Sequence, residues 1–506
     1  MKHTIETIDD VSQAVAWLRA RVHGRLCTDS RMVRPGDGFI AWPGGVTDGR
    51  LHVADALARG ACACLVERQG VDAFALPGSV TACIDGLKAK TGEIASQWWD
   101  RPSVALKVLA VTGTNGKTST AWWLAHALTA QGCAMVGTLG IGVPPHVTAT
   151  GMTTPDPVCL QQAFADFRQQ GLRACAIEAS SIGIEEHRLH GTHIHTAIFT
   201  NLTQDHLDYH GSMAAYWQAK ARLFRWPGLR VAVVNVDDAQ GRSLVQALLE
   251  HTARNDDLDV WTIGITQPAR LVAREIHHGS QGLVFTLVEG SESHTVHTRL
   301  VGQYNVSNLL GVLAVLRSHG MPLAQAVQVC ATVEPVPGRM QQILQPGMPL
   351  VVIDYAHTPD ALMQSLQALR SVAQERGGKL WCVFGCGGDR DIGKRALMGR
   401  AAQQGADRVI VTSDNPRSEM PQAIMQQILA GMEPGQGVLE QPDRSLAIQD
   451  AIFRAAARDV VLLAGKGHED YQEIQGIKRP FSDMAEAQAA LLALAAQQQG
   501  YGLCKQ

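Results

Sequence analysis

Short apolar runs, separated by turn residues and longer amphipathic stretches, recur along most of this chain. The clearest is Leu106 to Ala121, LKVLAVTGTNGKTSTA, which reads as a strand, a glycine turn and the start of a helix. From residue 104 to about 332, runs at Arg173–Ile177, Thr196–Thr200 and Arg230–Asn235 alternate with helical stretches. That alternation predicts a mainly parallel sheet with crossover helices. Between Leu271 and Leu300 apolar and polar residues alternate singly around Gly282 and Gly290. This predicts antiparallel strands appended to the sheet. LVGQYNVSNLLGVLAVLRSHG then reads as a glycine turn leading into a helix.

From about residue 333, runs at Leu350–Asp354, Leu380–Phe384, Arg408–Thr412 and Val460–Ala464 predict a second doubly wound α/β unit. Before residue 100, Ala54–Gly60 reads as a helix and Ala61–Glu67 as a buried strand. Asp100-Arg101-Pro102-Ser103 reads as a linker. The expected fold is α/β in three domains. A smaller α/β domain spans 1–102, a central phosphate-loop sheet 103–332, and a Rossmann-like doubly wound domain 333–506.

The length of 506 residues agrees with three domains of about 150 residues each. A net charge of −3 gives no reason to expect nucleic acid or a membrane surface as partner. No apolar run is long enough to insert in a bilayer, and MKHTIETIDD has no apolar signal core. The eleven cysteines form no Cys-x-x-Cys pair, and Cys62/Cys64 and Cys382/Cys386 lack a matching second pair. Reduced thiols in a cytoplasmic protein are expected, not a zinc site.

The chemistry starts at the glycine turn. Gly113 and Gly116 let successive amides point at one anion, and the helix opening near Lys117 adds its free N–H groups. Lys117 brings a full charge, and the Thr118 hydroxyl is placed to ligate Mg²⁺ beside a triphosphate. The spacing, Gly-x-x-Gly-Lys-Thr, is shorter than the common phosphate loop, which would have glycine at Val111. Nucleotide phosphate binding is the reading. Glu178, at the end of a strand, is a candidate Mg²⁺ ligand or an ion-paired carboxylate. NLTQDHLDYHG places His206 after another strand as a candidate metal ligand.

In SMAAYWQAKARLF, periodicity alone makes Lys220 a solvated surface charge. Asn305 and Asn308 share a helix face and either read a base edge or cap the helix. Thr28, Asp29, Ser30 and Arg31 form a polar loop that binds a ligand or is merely solvated. The last unit's strands end in DYAHTPD, GCGGDRD, SDNPRSE and GKGHED. Four charged loops at one sheet edge predict a polar crevice.

Taken in order, TGTNGKTST, EASS with Arg188, NLTQDHLDYH, YWQAKARLF, GxxNxxN, DYAHTPD, DNPR and GKGHE resemble the Mur ligases from end to end. These are ATP-dependent amino-acid-adding enzymes of peptidoglycan precursor synthesis, the pathway behind cell shape and division. The resemblance implies that ATP is held by Gly113, Thr114, Asn115, Gly116, Lys117, Thr118, Ser119, Asn305 and Arg339. It implies two Mg²⁺ ions on Thr118, Glu178, His206 and Lys220, the last carbamylated, with catalytic roles for Lys117, Lys220 and His206. Thr28 and Ser30, with Gly45–Thr47, would contact the uridine part of a UDP-linked substrate. Thr153, Thr154, Ser180 and Arg188 would hold its remainder.

Asp414-Asn415-Pro416-Arg417 resembles the signature of members that add meso-diaminopimelate to UDP-N-acetylmuramoyl-L-alanyl-D-glutamate. Arg390, Gly465 and Glu469 would join it around the amino acid. A monomer is expected. Some positions depart from the pattern. Ile182 and Glu186 stand where relatives tend to have histidine and glutamine, PGRMQ lacks the usual acidic residue, and Gly45-Val46-Thr47 is less polar than usual.

Overall fold

The computed structural model describes residues 5–45, 47–252, 257–279, 282–433 and 437–503. Val46, at the centre of the proposed uridine stretch, lies outside the described residues. Three principal sheets account for most strands. The first is five-stranded and wholly parallel, with Ala63–Glu67 buried at its centre between Gly38–Ala41 and Thr81–Ile84.

The second has eleven strands. Lys107–Thr112 lies between Ala174–Glu178 and Ile194–Phe199, parallel to both. These strands are buried on both faces, which is why they read as continuous apolar runs and not as alternating ones. Helices Lys117–Ala127 and Tyr304–Ser318 cover one face, where Trp123, Leu309 and Leu313 join one core. Phe164, Phe167 and Leu223 build a separate core on the other. Tyr304–Ser318 is buried along nearly its whole length, as a helix apolar on all sides must be.

At one end of this sheet Leu271–Gly279, Gly282–Glu289 and Glu292–His297 pair antiparallel, as the single alternation predicts. At the other end Cys133–Gly137, Gly140–Val143 and His146–Thr148 form a second antiparallel extension. These strands are too short to show a period.

The third sheet runs Gln341–Ile343, Leu350–Asp354, Val460–Ala464, Leu380–Phe384, Arg408–Val411, Val438–Glu440, with only the first strand antiparallel. Among the described residues no helix is long and apolar enough to cross a membrane.

Candidate active site

The turn after Lys107–Thr112 is built for close backbone approach. Gly113 and Gly116 have φ of 146° and 86°, and a Cβ there would strike the Thr200 hydroxyl and the Asn308 amide oxygen respectively. Asn201 fixes the turn further, its side-chain oxygen accepting from the Asn115 N–H at 2.9 Å. Lys117 Nζ donates to the carbonyls of Gly113 and Thr114, at 2.9 and 2.8 Å. Burial lowers the pKa of this ammonium, while Glu178 and Asp205 act in the opposite direction. Asn308 hydrogen-bonds Asn305, whose amide donates to Val301 O, and neither caps the helix. Asn308 therefore lies against Gly116 and leaves no space there for a side chain.

Glu178 is 1% exposed and accepts from the Thr138 N–H at 2.8 Å and from the hydroxyls of Thr118 and Thr138 at 3.0 and 3.2 Å. His206 has a left-handed backbone, φ 53°, and Nε2 lies 3.5 Å from Asp205 Oδ2. Burial pushes its pKa down, towards the neutral imidazole that a metal requires.

Lys220 is not the surface charge that periodicity suggests. It is 1% exposed, and Nζ donates to Gly113 O at 2.7 Å and sits 4.3 Å from the Tyr216 ring centre. Its helix, Met213–Ala221, packs this face onto the phosphate loop. Burial, then neighbouring Lys117, hold the amine well below its ordinary pKa. Periodicity marks apolar faces and cannot register a buried cation.

Among the described residues no group of three or more His, Cys, Asp or Glu side chains forms a ready-made metal cage. Mg²⁺ does not need one: it keeps waters and binds through one or two carboxylates plus substrate phosphates. The Thr118–Glu178 pair beside Lys117 fits that requirement.

The four strand-end loops of the third unit do converge. Asn415 Nδ2 donates to Glu469 Oε2 at 2.8 Å, and Lys466 Nζ donates to Asn415 Oδ1 at 3.0 Å. Lys466 Nζ also lies 3.3 Å from Glu469 and 3.5 Å from Asp414, whose buried Oδ1 has no hydrogen bond. Burial, followed by Asp414, raises the Glu469 pKa. Two carboxylates thus share one lysine and leave room for a second cation. Arg417, φ 50°, donates from Nη1 to Gly388 O at 2.7 Å. Arg390 is exposed at the rim. The loops offer both signs of charge, as recognition of a zwitterion requires.

One cavity of about 680 Å³ is lined by the phosphate loop from Thr114 to Ser119, by Thr153, Glu178, Ser180, His206 and Lys220, and by Asn305 and Arg339. The same cavity reaches Arg390, Asp414, Asn415, Arg417, Gly465 and Glu469. Gly113 and Pro416 shape the turns behind it. Thr28, Ser30, Thr154 and Arg188 do not line it. Thr154, 2% exposed, donates to Glu178 O, and its own carbonyl accepts from Arg188 at 2.9 Å. Thr28 hydrogen-bonds Asp156, and Ser30 is buried against Asp55.

Sequence reasoning passes over Thr138, Lys466 and Lys394, the last a buried lysine on the wall of the same cavity. Lys466 stands in GKGHED, a lysine between two glycines at a strand end, and that context is a usable signal. Thr138 and Lys394 carry none.

The chain matches the Mur ligase middle domain over residues 111–316 and the Mur ligase glutamate ligase domain over residues 338–467. It belongs to the Mur ligase family and is an ATP-dependent ligase. Among its relatives is the UDP-N-acetylmuramoyl-L-alanyl-D-glutamate–2,6-diaminopimelate ligase of Acidovorax sp. (strain JS42), 61% identical over 97% of this chain and 98% of that one. The ligase of the same name from Pseudomonas aeruginosa is 45% identical over 92% and 95%. A solved structure of a ligase of that name is 38% identical, with a TM-score of 0.64 over 94% and 95% of the two chains. A Thermotoga maritima MurF ligase solved with ADP shares the fold at 20% identity, with a TM-score of 0.64 over 87% and 93%.

Proposed function

We propose that this chain joins meso-diaminopimelate to the D-glutamate γ-carboxylate of UDP-N-acetylmuramoyl-L-alanyl-D-glutamate, cleaving ATP to ADP and phosphate. The observation that carries the reading is the single cavity reaching from the phosphate loop to the Asp414–Arg417 loop. The names of the relatives supply the substrates.

A carboxylate is a poor electrophile, so the γ-phosphoryl group of ATP passes first to the carboxylate oxygen. Phosphoryl transfer depends on positioning and charge neutralisation. Lys117 and the amides of residues 113–119 cradle the phosphates, and Arg339 adds a second cation. Thr118, Glu178, His206 and a carbamylated Lys220 would hold two Mg²⁺ ions, and these would supply charge neutralisation at the transferring group. A neutral amine is the form that adds CO₂, and burial beside Lys117 lowers the Lys220 pKa in that direction. The amino group of diaminopimelate then attacks the acyl phosphate: a C–N bond forms, the C–O bond to phosphate breaks, and one proton leaves the nitrogen. With His206 on the metal, His357 is the neighbouring base; burial holds it at about 4, so it is neutral at pH 7.

Diaminopimelate carries a carboxylate and an ammonium at its far end. Arg417 and Arg390 take the carboxylate in charge-assisted hydrogen bonds, and Asp414 and Glu469 take the ammonium, with Asn415, Pro416 and Gly465 shaping the loop. Residues 1–102, through Thr28 and Ser30, hold the uridine end, with Thr153 and Ser180 on the cavity wall and Thr154 and Arg188 supporting that wall from behind. Residues 103–332 hold ATP and 333–506 the amino acid. The protein acts as a cytoplasmic monomer in peptidoglycan precursor synthesis. Mass spectrometry of the product tests this: a UDP-muramoyl tripeptide is expected, and its absence would reject the reading.

A further inference from the structure

Glu186 has no place in the chemistry above, yet its two carboxylate oxygens are separately engaged. Oε2 lies 2.6 Å from Lys88 Nζ, on the first unit's helix Leu87–Trp98. Oε1 accepts from the Tyr209 hydroxyl at 2.5 Å, in the short helix Leu207–His210 that follows His206. Tyr209 in turn holds His206, its N–H donating to His206 O at 3.2 Å.

His206 needs an outside restraint. Its left-handed φ is one that few residues other than glycine adopt, and such conformations persist only where the surroundings over-determine them. The helix after it has four residues, too few to be stable alone. The platform it leans on is firm: Gly92 and Gly191 are in backbone contact, where a Cβ on either would strike the other segment. The neighbouring Glu185 pairs with Arg222 at 2.9 Å, two residues after Lys220, but both are more exposed and this arm is weaker. Only a carboxylate serves both partners of residue 186. Glutamine would leave Lys88 without its charge partner.

We infer that Glu186 is a positioning residue: through Lys88 and Tyr209 it ties the first unit to the His206 loop and so sets the geometry of the metal site. This rests on the reading of His206 as a metal ligand.

The test titrates Mn²⁺, in the presence of a non-hydrolysable ATP analogue, into wild type, Lys88→Ala, Glu186→Gln, Tyr209→Phe and the double variant Lys88→Ala/Glu186→Gln. Arg59→Ala, which breaks an exposed ion pair with Asp55 elsewhere on the first unit, is the control. The Mn²⁺ Kd is expected to rise three- to tenfold in each single variant and no further in the double variant. Melting temperature and the control should stay at wild-type values. Kd values within twofold of wild type in Lys88→Ala and Tyr209→Phe would overturn the inference. With KM for the acceptor nucleotide measured in parallel on the same variants, it would equally fall if Glu186→Gln alone changed, and only in that KM, since Glu186 would then touch substrate. The titration uses neither acceptor nucleotide nor amino acid, so it is decided separately from product formation.

Discussion

Arg339 Nη2 donates to the Thr118 hydroxyl across 3.0 Å, joining the turn that opens the third unit to the second residue of the phosphate-loop helix. Its guanidinium also lies 4.3 Å from the Tyr355 ring centre, so one side chain is anchored on the amino-acid side and reaches the phosphate side. Arg339→Ala should lower kcat/KM for ATP by about 100-fold, or about 2.7 kcal/mol, within the range for a hydrogen bond to a charged group. Steady-state rates with ATP varied check this. A change under about threefold would remove the arginine from ATP binding.

Arg417 tests substrate choice. Arg417→Ala should cut kcat/KM for meso-diaminopimelate by about 100- to 1000-fold, about 3–4 kcal/mol, because the distal carboxylate loses its half-buried charge partner. Activity with L-lysine, which lacks that carboxylate, should change far less. Equal losses with both amino acids would mean that Arg417 supports the loop through Gly388 and does not read the substrate.

Lys220 tests the carbamate. Lys220→Ala should abolish turnover, and a small carboxylic acid such as formate should restore part of it by filling the vacated anionic position. Full activity without additive would exclude a carbamate role.

His319 gives a pH signature in stability. Both its ring nitrogens are buried without a hydrogen bond, its ring centre is 5.4 Å from that of His195, and burial holds the imidazole at about 4. The unfolded chain takes up this proton near pH 6.5. Between about 6.5 and 4 the unfolded state therefore binds more protons, and stability falls as pH falls. One histidine contributes at most about 1.4 kcal/mol per pH unit, less where solvent reaches the ring. His319→Leu should narrow the difference in melting temperature between pH 7.5 and 5.0. An unchanged difference would show that the buried ring does not govern this range.

Much of the fold and of the site is legible in the order of residues alone. Lys107–Thr112 and Leu350–Asp354 are apolar without interruption because both faces are covered, and the glycines at 113 and 116 mark a turn that no side chain fits. The convergence of DYAHTPD, GCGGDRD, SDNPRSE and GKGHED follows from strand ends sharing a sheet edge. Lys220 escapes because its burial comes from tertiary packing against Gly113, a contact 107 residues away along the chain. Glu186 escapes for the same reason: its partners Lys88 and Tyr209 come from different units. Thr154 and Arg188, expected around substrate, bond one another beside Glu178 and do not line the cavity, and no local pattern distinguishes those situations.

The central claim is that ATP is cleaved only to activate one carboxylate for one amine. Phosphate release should be measured with UDP-N-acetylmuramoyl-L-alanyl-D-glutamate present, comparing meso-diaminopimelate, L-lysine and no amino acid. Fast release with diaminopimelate alone, matched mole for mole by new amide, is the predicted result. Release at one rate in all three conditions, with no amide formed, would contradict it.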